Sequence, residues 1–352
     1  MKALQWHGAR DLRVVDLDPA PVGAHEVRVA VVYCGICGSD VHEYADGPHA
    51  IPTDKPHPVS GRRAPLTIGH EFCGIVAEVG AQVEGLRLGD RVAVEPEYRC
   101  RRCAYCAGGA YNLCESMGFA GLMGDGGMAD YATVPAYMLH KLPDDVTLEQ
   151  AAVLEPAAVA LHALRRSGLR AGDACAIFGL GPIGLLLVML AKAHGASVVA
   201  AVDVAPQRIE AAQRLGATLA CDARDPGFVD TIRAAAGGLG VPISFEAAGL
   251  QATLDASMRV LRKGGRMVMV GLMHDARFDA FRAVNDELSI TTSVGYRDVY
   301  PALFDLIRRG ALDPAAIVTR TVPLARAVTD GFEALLHDKQ QIKVLVAPGL
   351  DR

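Results

Sequence analysis

Aromatic side chains are scarce in this 352-residue chain, with one tryptophan, nine tyrosines and nine phenylalanines. A polypeptide so poor in rings offers few platforms on which single-stranded bases could stack. Excess charge is also missing. Thirty-five Lys+Arg against 40 Asp+Glu leave a net charge of −5, which provides no basic stripe for nucleic acid. With 51% hydrophobic residues the chain also lacks the composition of a disordered one. The opening residues, Met1-Lys2-Ala3-Leu4-Gln5-Trp6-His7, contain no apolar run or small-residue cleavage site, so no secretory signal is expected. No internal repeat or low-complexity tract stands out. Residues 174–191 form an uncharged run of nearly membrane-spanning length, but Gly179, Gly181, Pro182 and Gly184 interrupt its first half. A buried strand followed by a buried helix is the better reading, with no membrane partner.

The chain does contain 37 glycines and nine cysteines. Its length suffices for two domains with substantial cores, so disulfide staples are unnecessary. An odd number of thiols without a signal peptide indicates a reducing, cytoplasmic setting, where clustered cysteines are metal ligands.

The first ~150 residues read as strands and loops. Strands are expected at 27–32, 75–79 and 91–94, with Gly85, Gly89 and Asp90 marking a turn, and residues 47–65 hold five prolines and read as a long loop. From about Ala157 the pattern changes. Strand candidates at 174–178, 197–202, 242–245 and 266–270 alternate with helical stretches at 182–194, 205–215, 228–236 and 252–261. Such alternation predicts an α/β fold with a doubly wound parallel sheet, completed by a strand near 290–294. A helix around 300–309 and a closing strand at 343–346 follow.

Three motifs carry chemistry. Gly179-Leu180-Gly181-Pro182-Ile183-Gly184 lies between a predicted strand and a predicted helix, where glycines let the backbone approach a pyrophosphate at the helix N-terminus. Asp203, at the end of the next strand, would accept hydrogen bonds from the adenosine ribose and repel a 2′-phosphate, favouring NAD over NADP. Arg208 is the nearby cation that could blur that preference, and a structural βα turn is the plainer alternative for the whole motif. Cys100, Cys103, Cys106 and Cys114 form a C-x2-C-x2-C-x7-C group that can enclose a tetrahedral Zn²⁺, with an iron–sulfur cluster as the chemical alternative. Cys37 and the pair His70-Glu71 are weaker signals, because a lone Cys or His is commonly a core residue. With a distant carboxylate, Cys37 and His70 would form a three-ligand zinc site with one open position.

Gly69-His70-Glu71-x2-Gly74-x5-Gly80-x2-Val83, Cys37-Gly38-Ser39-Asp40, the Gly89-Asp90-Arg91-Val92 turn, the four-cysteine lobe and the later dinucleotide motif resemble, in order, the zinc-containing medium-chain alcohol dehydrogenases. Alcohol dehydrogenase is itself the familiar example of a Cys2His catalytic zinc. The resemblance implies a mostly-β GroES-like catalytic domain over 1–156, an NAD-binding Rossmann domain over 157–296, and a return segment over 297–352 that completes the first. It implies two Zn²⁺ per chain, one structural and one catalytic. No cysteine lies between Cys114 and Cys175, and the third-ligand position reads Leu154-Glu155-Pro156, as in the polyol and butanediol dehydrogenases of the family. Cys37, His70 and Glu155 are therefore the implied ligands, with Glu71 able to exchange onto the metal. A helix N-terminal acid is the plainer role for Glu155.

The resemblance also implies that Ser39 begins a proton relay, running through the cofactor ribose to His42. Asp40 is expected to fix His70 by accepting its second ring N–H, with a turn-capping Asp as the plainer alternative. Cofactor contacts extend from Gly179, Gly181, Pro182, Ile183, Gly184, Asp203 and Arg208 to Val270 and Lys343. His57, between two prolines, is expected at the loop surface. The long stretch between Cys37 and His70, together with Tyr111-Asn112-Leu113-Cys114 through Gly121, is similar to the butanediol-type members. The expected reaction interconverts a small vicinal diol and its hydroxyketone, with sorbitol or L-threonine oxidation as alternatives. A non-catalytic zinc and dinucleotide sensor is the alternative from another class. A homo-oligomer, dimer or tetramer, is expected by family analogy.

Overall fold

Along the strand Glu26–Gly35, Val27, Val29 and Val31 are buried while the residues between them are partly exposed, the alternation of a strand with one face on a core. This strand lies inside a sheet ordered Leu139–Lys141, Arg91–Val94, Glu71–Val79, Glu26–Gly35, Lys343–Ala347, Val318–Pro323, and Tyr131–Pro135 also pairs with it. The structure, a computed structural model, describes residues 1–338 and 340–351. It divides into one unit of Met1–Glu155 with Val318–Arg352 and a second of Pro156–Ile317. In the first unit the core gathers Trp6, Leu66, Ile68, Phe72, Met128 and Phe332. The late strand Lys343–Ala347 is buried throughout and joins this sheet directly, placing Leu345 opposite Gly35. On its other side Gly35 faces Glu71. That register positions the candidate metal residues.

The second unit is a six-stranded parallel sheet ordered Leu219–Asp222, Val198–Asp203, Ala174–Phe178, Val241–Glu246, Leu261–Met269, Ser289–Thr292. This is the doubly wound order, whose direction reverses beside Ala174–Phe178. The uncharged run resolves into that strand, fully buried, and the helix Pro182–Ala193. Among the described residues no helix is long and apolar enough to cross a membrane.

Three details depart from the sequence reading. Leu219–Asp222 is a strand that the sequence pattern does not announce; its four residues take that form by pairing with Val198–Asp203. Leu261–Met269 begins before residue 266, taking in Leu261, which the pattern assigns to the preceding helix, and continuing through Gly264-Gly265. The return to the first unit starts at Val318 and not at 297. Its delay has a packing cause: Tyr296 and Tyr300 are buried with ring centroids 6.0 Å apart, Arg165 donates to the Asp298 carbonyl at 2.9 Å, and Pro314–Ile317 packs on the helix Pro182–Ala193.

Within the glycine-rich turn the positions differ in tolerance. A Cβ on Gly184 would lie 1.8 Å from the Gly179 carbonyl oxygen, whereas one on Gly181 would meet nothing within 4 Å. Gly184→Ala is expected to cost about 1–3 kcal/mol in urea unfolding, an overpacking penalty. Gly181→Ala should leave the midpoint in place, and equal midpoints for the two variants would contradict this packing.

Candidate metal centres and cofactor loop

The helix Gly38–Asp46 begins at Cys37 through a reciprocal cap in which the Cys37 N–H donates to Asp40 Oδ2 at 2.9 Å. The other Asp40 oxygen, Oδ1, stands 3.4 Å from His70 Nδ1. Asp40 thus both closes the helix start and faces the imidazole, and each of these two facing atoms is buried without a well-formed hydrogen bond. Just before His70, Gly69 adopts φ +93°, and a Cβ there would meet Cys34 Sγ and Met128 Cγ at 2.6 Å. Glycine is required at that bend. Glu71 follows, fully buried across from Gly35, where a Cβ would lie 2.1 Å from Glu71 Oε2. Lys343 Nζ donates to Glu71 Oε1 and Oε2 at 2.8 and 2.7 Å and to the Ile36 carbonyl at 3.0 Å. One ligand atom each from Cys37, His70 and Glu71 lies within 4.8 Å of the others.

The electrostatics favour a cation. Burial by itself lowers the His70 pKa, yet Asp40 and Cys37 beside it push the imidazole well above its ordinary value. Burial likewise disfavours the Lys343 ammonium, and Glu71, Cys37 and Glu155 more than restore it. A thiol, an imidazole and a carboxylate around a field that draws in positive charge fit Zn²⁺, whose sites combine such donors.

The structure brings together only part of the expected set. Glu71, and not Glu155, completes the close group with Cys37 and His70. Glu155 is buried in the first turn of the helix Leu154–Ser167 and lies outside that group, close enough to stabilise the Lys343 ammonium. Lys343, expected at the cofactor, has its three protons directed to Glu71 and Ile36. The sequence signal for this is a single lysine opening an otherwise apolar strand, Lys343–Ala347. Ser39 and His42 share one face of the helix Gly38–Asp46, Ser39 partly covered and His42 exposed. His57 is a correction: it is buried, with its ring centroid 5.8 Å from that of Tyr98.

Cys100, Cys103, Cys106 and Cys114 converge as a second group. Backbone N–H groups of Cys100, Cys103, Cys106 and Ser116 donate to Cys114, Cys100, Cys103 and Cys114 sulfurs at 3.2–3.5 Å. Backbone donors hold the Cys100 and Cys103 thiols below their ordinary pKa, while desolvation and then the neighbouring Cys114 push Cys106 up. Full ionisation of the four is favoured by a dication, and the donor set suits structural zinc.

In the second unit Gly181 caps the helix Pro182–Ala193 and Pro182 takes its first position, leaving backbone N–H groups toward an anion. Gly179 turns at φ +89°, Gly184 is buried and Ile183 partly so. Asp203 Oδ2 accepts from the Leu180 N–H at 2.7 Å, and Oδ1 accepts from Val204 and Ala205 at 2.7 and 2.9 Å. The carboxylate is therefore aimed by backbone donors and keeps an acceptor site on Oδ2. Arg208 Nε is buried without a hydrogen-bond partner among the described residues. The Val270 N–H donates to the Glu246 carbonyl at 2.8 Å, fixing the exit of the neighbouring strand.

Residues 23–144 match the alcohol dehydrogenase GroES-like domain, and residues 182–309 match the zinc-binding dehydrogenase domain. A Bacillus subtilis relative named (R,R)-butanediol dehydrogenase is 41% identical over 350 residues, spanning 99% of this chain and 100% of its own. The chain belongs to the zinc-containing medium-chain alcohol dehydrogenase family. The crystal structure of 2R,3R-butanediol dehydrogenase from Bacillus subtilis superposes on this dehydrogenase with a TM-score of 0.93 over 99% of each chain. Sorbitol dehydrogenase of Bacillus subtilis is 33% identical, covering 99% of this chain and 97% of its own. A protein described as a short chain alcohol dehydrogenase from E. coli CFT073, complexed with NADH, is 28% identical, with a TM-score of 0.89 and 99% coverage of both chains. This dehydrogenase is thus an enzyme carrying a four-cysteine zinc site, a Cys/His/Glu zinc site and a Rossmann sheet.

Removing Lys343 tests the buried pair. Lys343→Met should destabilise the zinc-free enzyme by about 3–5 kcal/mol in urea unfolding, because Glu71 is left charged and uncompensated. Adding Glu71→Gln should recover most of that loss. A single variant as stable as the parent would show that Lys343 does not neutralise Glu71.

Proposed function

We propose that this dehydrogenase uses NAD to interconvert a small vicinal diol and its hydroxyketone, with (R,R)-2,3-butanediol and acetoin as the pair. The observation that carries the reading is the convergence of Cys37, His70 and Glu71 in a chain 41% identical, end to end, to a relative named for that diol. Bound zinc supplies a Lewis acid for the substrate oxygen, and bound NAD supplies the hydride acceptor.

Cys37 and His70 hold the metal, with Glu71 as the adjacent carboxylate and Glu155 as the second acid in the same field. Asp40 orients His70 by facing its other ring nitrogen. Ser39 would take up the substrate hydroxyl proton as it gives up its own, and His42, three residues along the same helical face, would release a proton to water; the exposure of His42 supports that last role. Gly179, Gly181, Pro182, Ile183 and Gly184 cradle the pyrophosphate. Asp203 accepts from the adenosine ribose, which supports NAD over NADP. Val270 lies at the exit of a neighbouring strand, consistent with a cofactor contact.

Among the described residues the outer strand Ser289–Thr292 pairs on one side only, and Ile290 is exposed. A homo-oligomer joined along this edge, working in the cytoplasm, is part of the reading. Sorbitol oxidation is the second reading, supported by the 33% identical sorbitol dehydrogenase.

An alcohol panel tests the assignment. With NAD, kcat/KM for (R,R)-2,3-butanediol should exceed that for sorbitol and L-threonine by roughly tenfold or more, and NADP should serve worse than NAD. Faster NAD reduction with sorbitol or threonine would reject the diol assignment.

A further inference from the structure

The proline-rich segment 47–65 has no regular structure but is anchored at its start and again at His57. At its start the buried Glu43 carboxylate accepts from the His49 N–H at 3.0 Å, from Ile51 at 3.2 Å, and from Ala50. Further along, His57 turns inward. Its N–H donates to the Arg62 carbonyl and its carbonyl accepts from Gly61, both at 2.8 Å, closing a small loop around the ring. Nδ1 accepts from the Ser60 N–H at 3.3 Å, and the Ser60 hydroxyl donates to the Met123 carbonyl.

His57 is buried, 9% exposed, and its imidazole rests on a strand without a side chain in the way. A Cβ on Gly118 would lie 2.8 Å from His57 Nε2. Gly118 pairs with Tyr98, whose ring flanks His57, and Phe119 pairs with Glu97. The next contact reaches the metal site, since the Phe119 ring centroid lies 5.9 Å from that of His70. Burial lowers the His57 pKa despite the nearby Met117 and Ser116 backbone, consistent with a neutral ring accepting at Nδ1.

We infer that His57 is a positioning residue that locks loop 47–65 onto the Gly118–Phe119 strand and so sets, through Phe119, the space beside His70 available to substrate. The chain of contact runs entirely within the first unit. A fixed wall beside a metal-binding imidazole favours compact alcohols over long polyols, so this loop is a determinant of substrate size. The size preference rests on the diol reading above; the mechanical link does not.

Two variants separate position from simple stability. His57→Leu cannot accept from Ser60, whereas His57→Asn places an oxygen near the position of Nδ1. Zinc-loaded enzymes are compared by amide hydrogen exchange over residues 116–123 and by kcat/KM on 2,3-butanediol and sorbitol. His57→Leu should speed exchange over 116–123 and reduce the butanediol-to-sorbitol preference roughly tenfold, mainly through KM, while His57→Asn restores much of both. Unchanged exchange in His57→Leu overturns the mechanical link, whatever the activities. Faster exchange with an unchanged preference overturns the size-setting role. A parent enzyme that prefers sorbitol instead removes the diol reading, and the exchange result still decides whether His57 holds the strand.

Discussion

Cys37, Asp40, Glu71 and Glu155 form a concentration of acidic and thiol groups in and beside the first-unit sheet, and all but Cys37 are buried. Such groups persist out of water only where positive charge reaches them. Lys343 supplies part of it through two contacts with Glu71, and Asp40 and Cys37 hold the His70 pKa above its ordinary value against the effect of burial. A zinc ion satisfies the same demand with donors suited to it. The chemistry of this site thus follows from an electrostatic requirement of the fold, which a dication and one ammonium meet together.

Backbone register makes that arrangement possible. Gly35 lies between Glu71 on one neighbouring strand and Leu345 on the other, and its missing side chain leaves the space that the Glu71 carboxylate fills. The strand Lys343–Ala347 comes from the far end of the chain, so the cation that balances Glu71 arrives only when the C-terminal segment joins the sheet. The four-cysteine lobe is independent of this: backbone N–H groups organise its sulfurs locally over residues 100–116.

Features with a local cause are legible in the sequence. The glycine-rich turn, the alternating strands and helices and the four-cysteine spacing each follow from neighbouring residues, and Cys37 and His70 stand out through short motifs. What escapes a sequence reading depends on distant pairing. Nothing near Lys343 announces Glu71, 272 residues away. Leu219–Asp222 becomes a strand because an existing edge is offered to it. His57 reads as a surface residue because its flanking prolines mark a loop, and the glycine that gives its ring a resting place lies at position 118. The choice between Glu71 and Glu155 likewise turns on three-dimensional placement that motif order does not contain.

Zinc content measured alongside alcohol oxidation decides whether Cys37 and His70 with a neighbouring carboxylate form a metal site distinct from the four-cysteine lobe. The parent should bind two zincs per chain, one for each group. Cys37→Ser should retain the lobe zinc and the unfolding midpoint of the lobe-loaded protein, lose the other zinc, and oxidise no alcohol. A Cys37→Ser enzyme that kept full activity and both zincs would contradict the account.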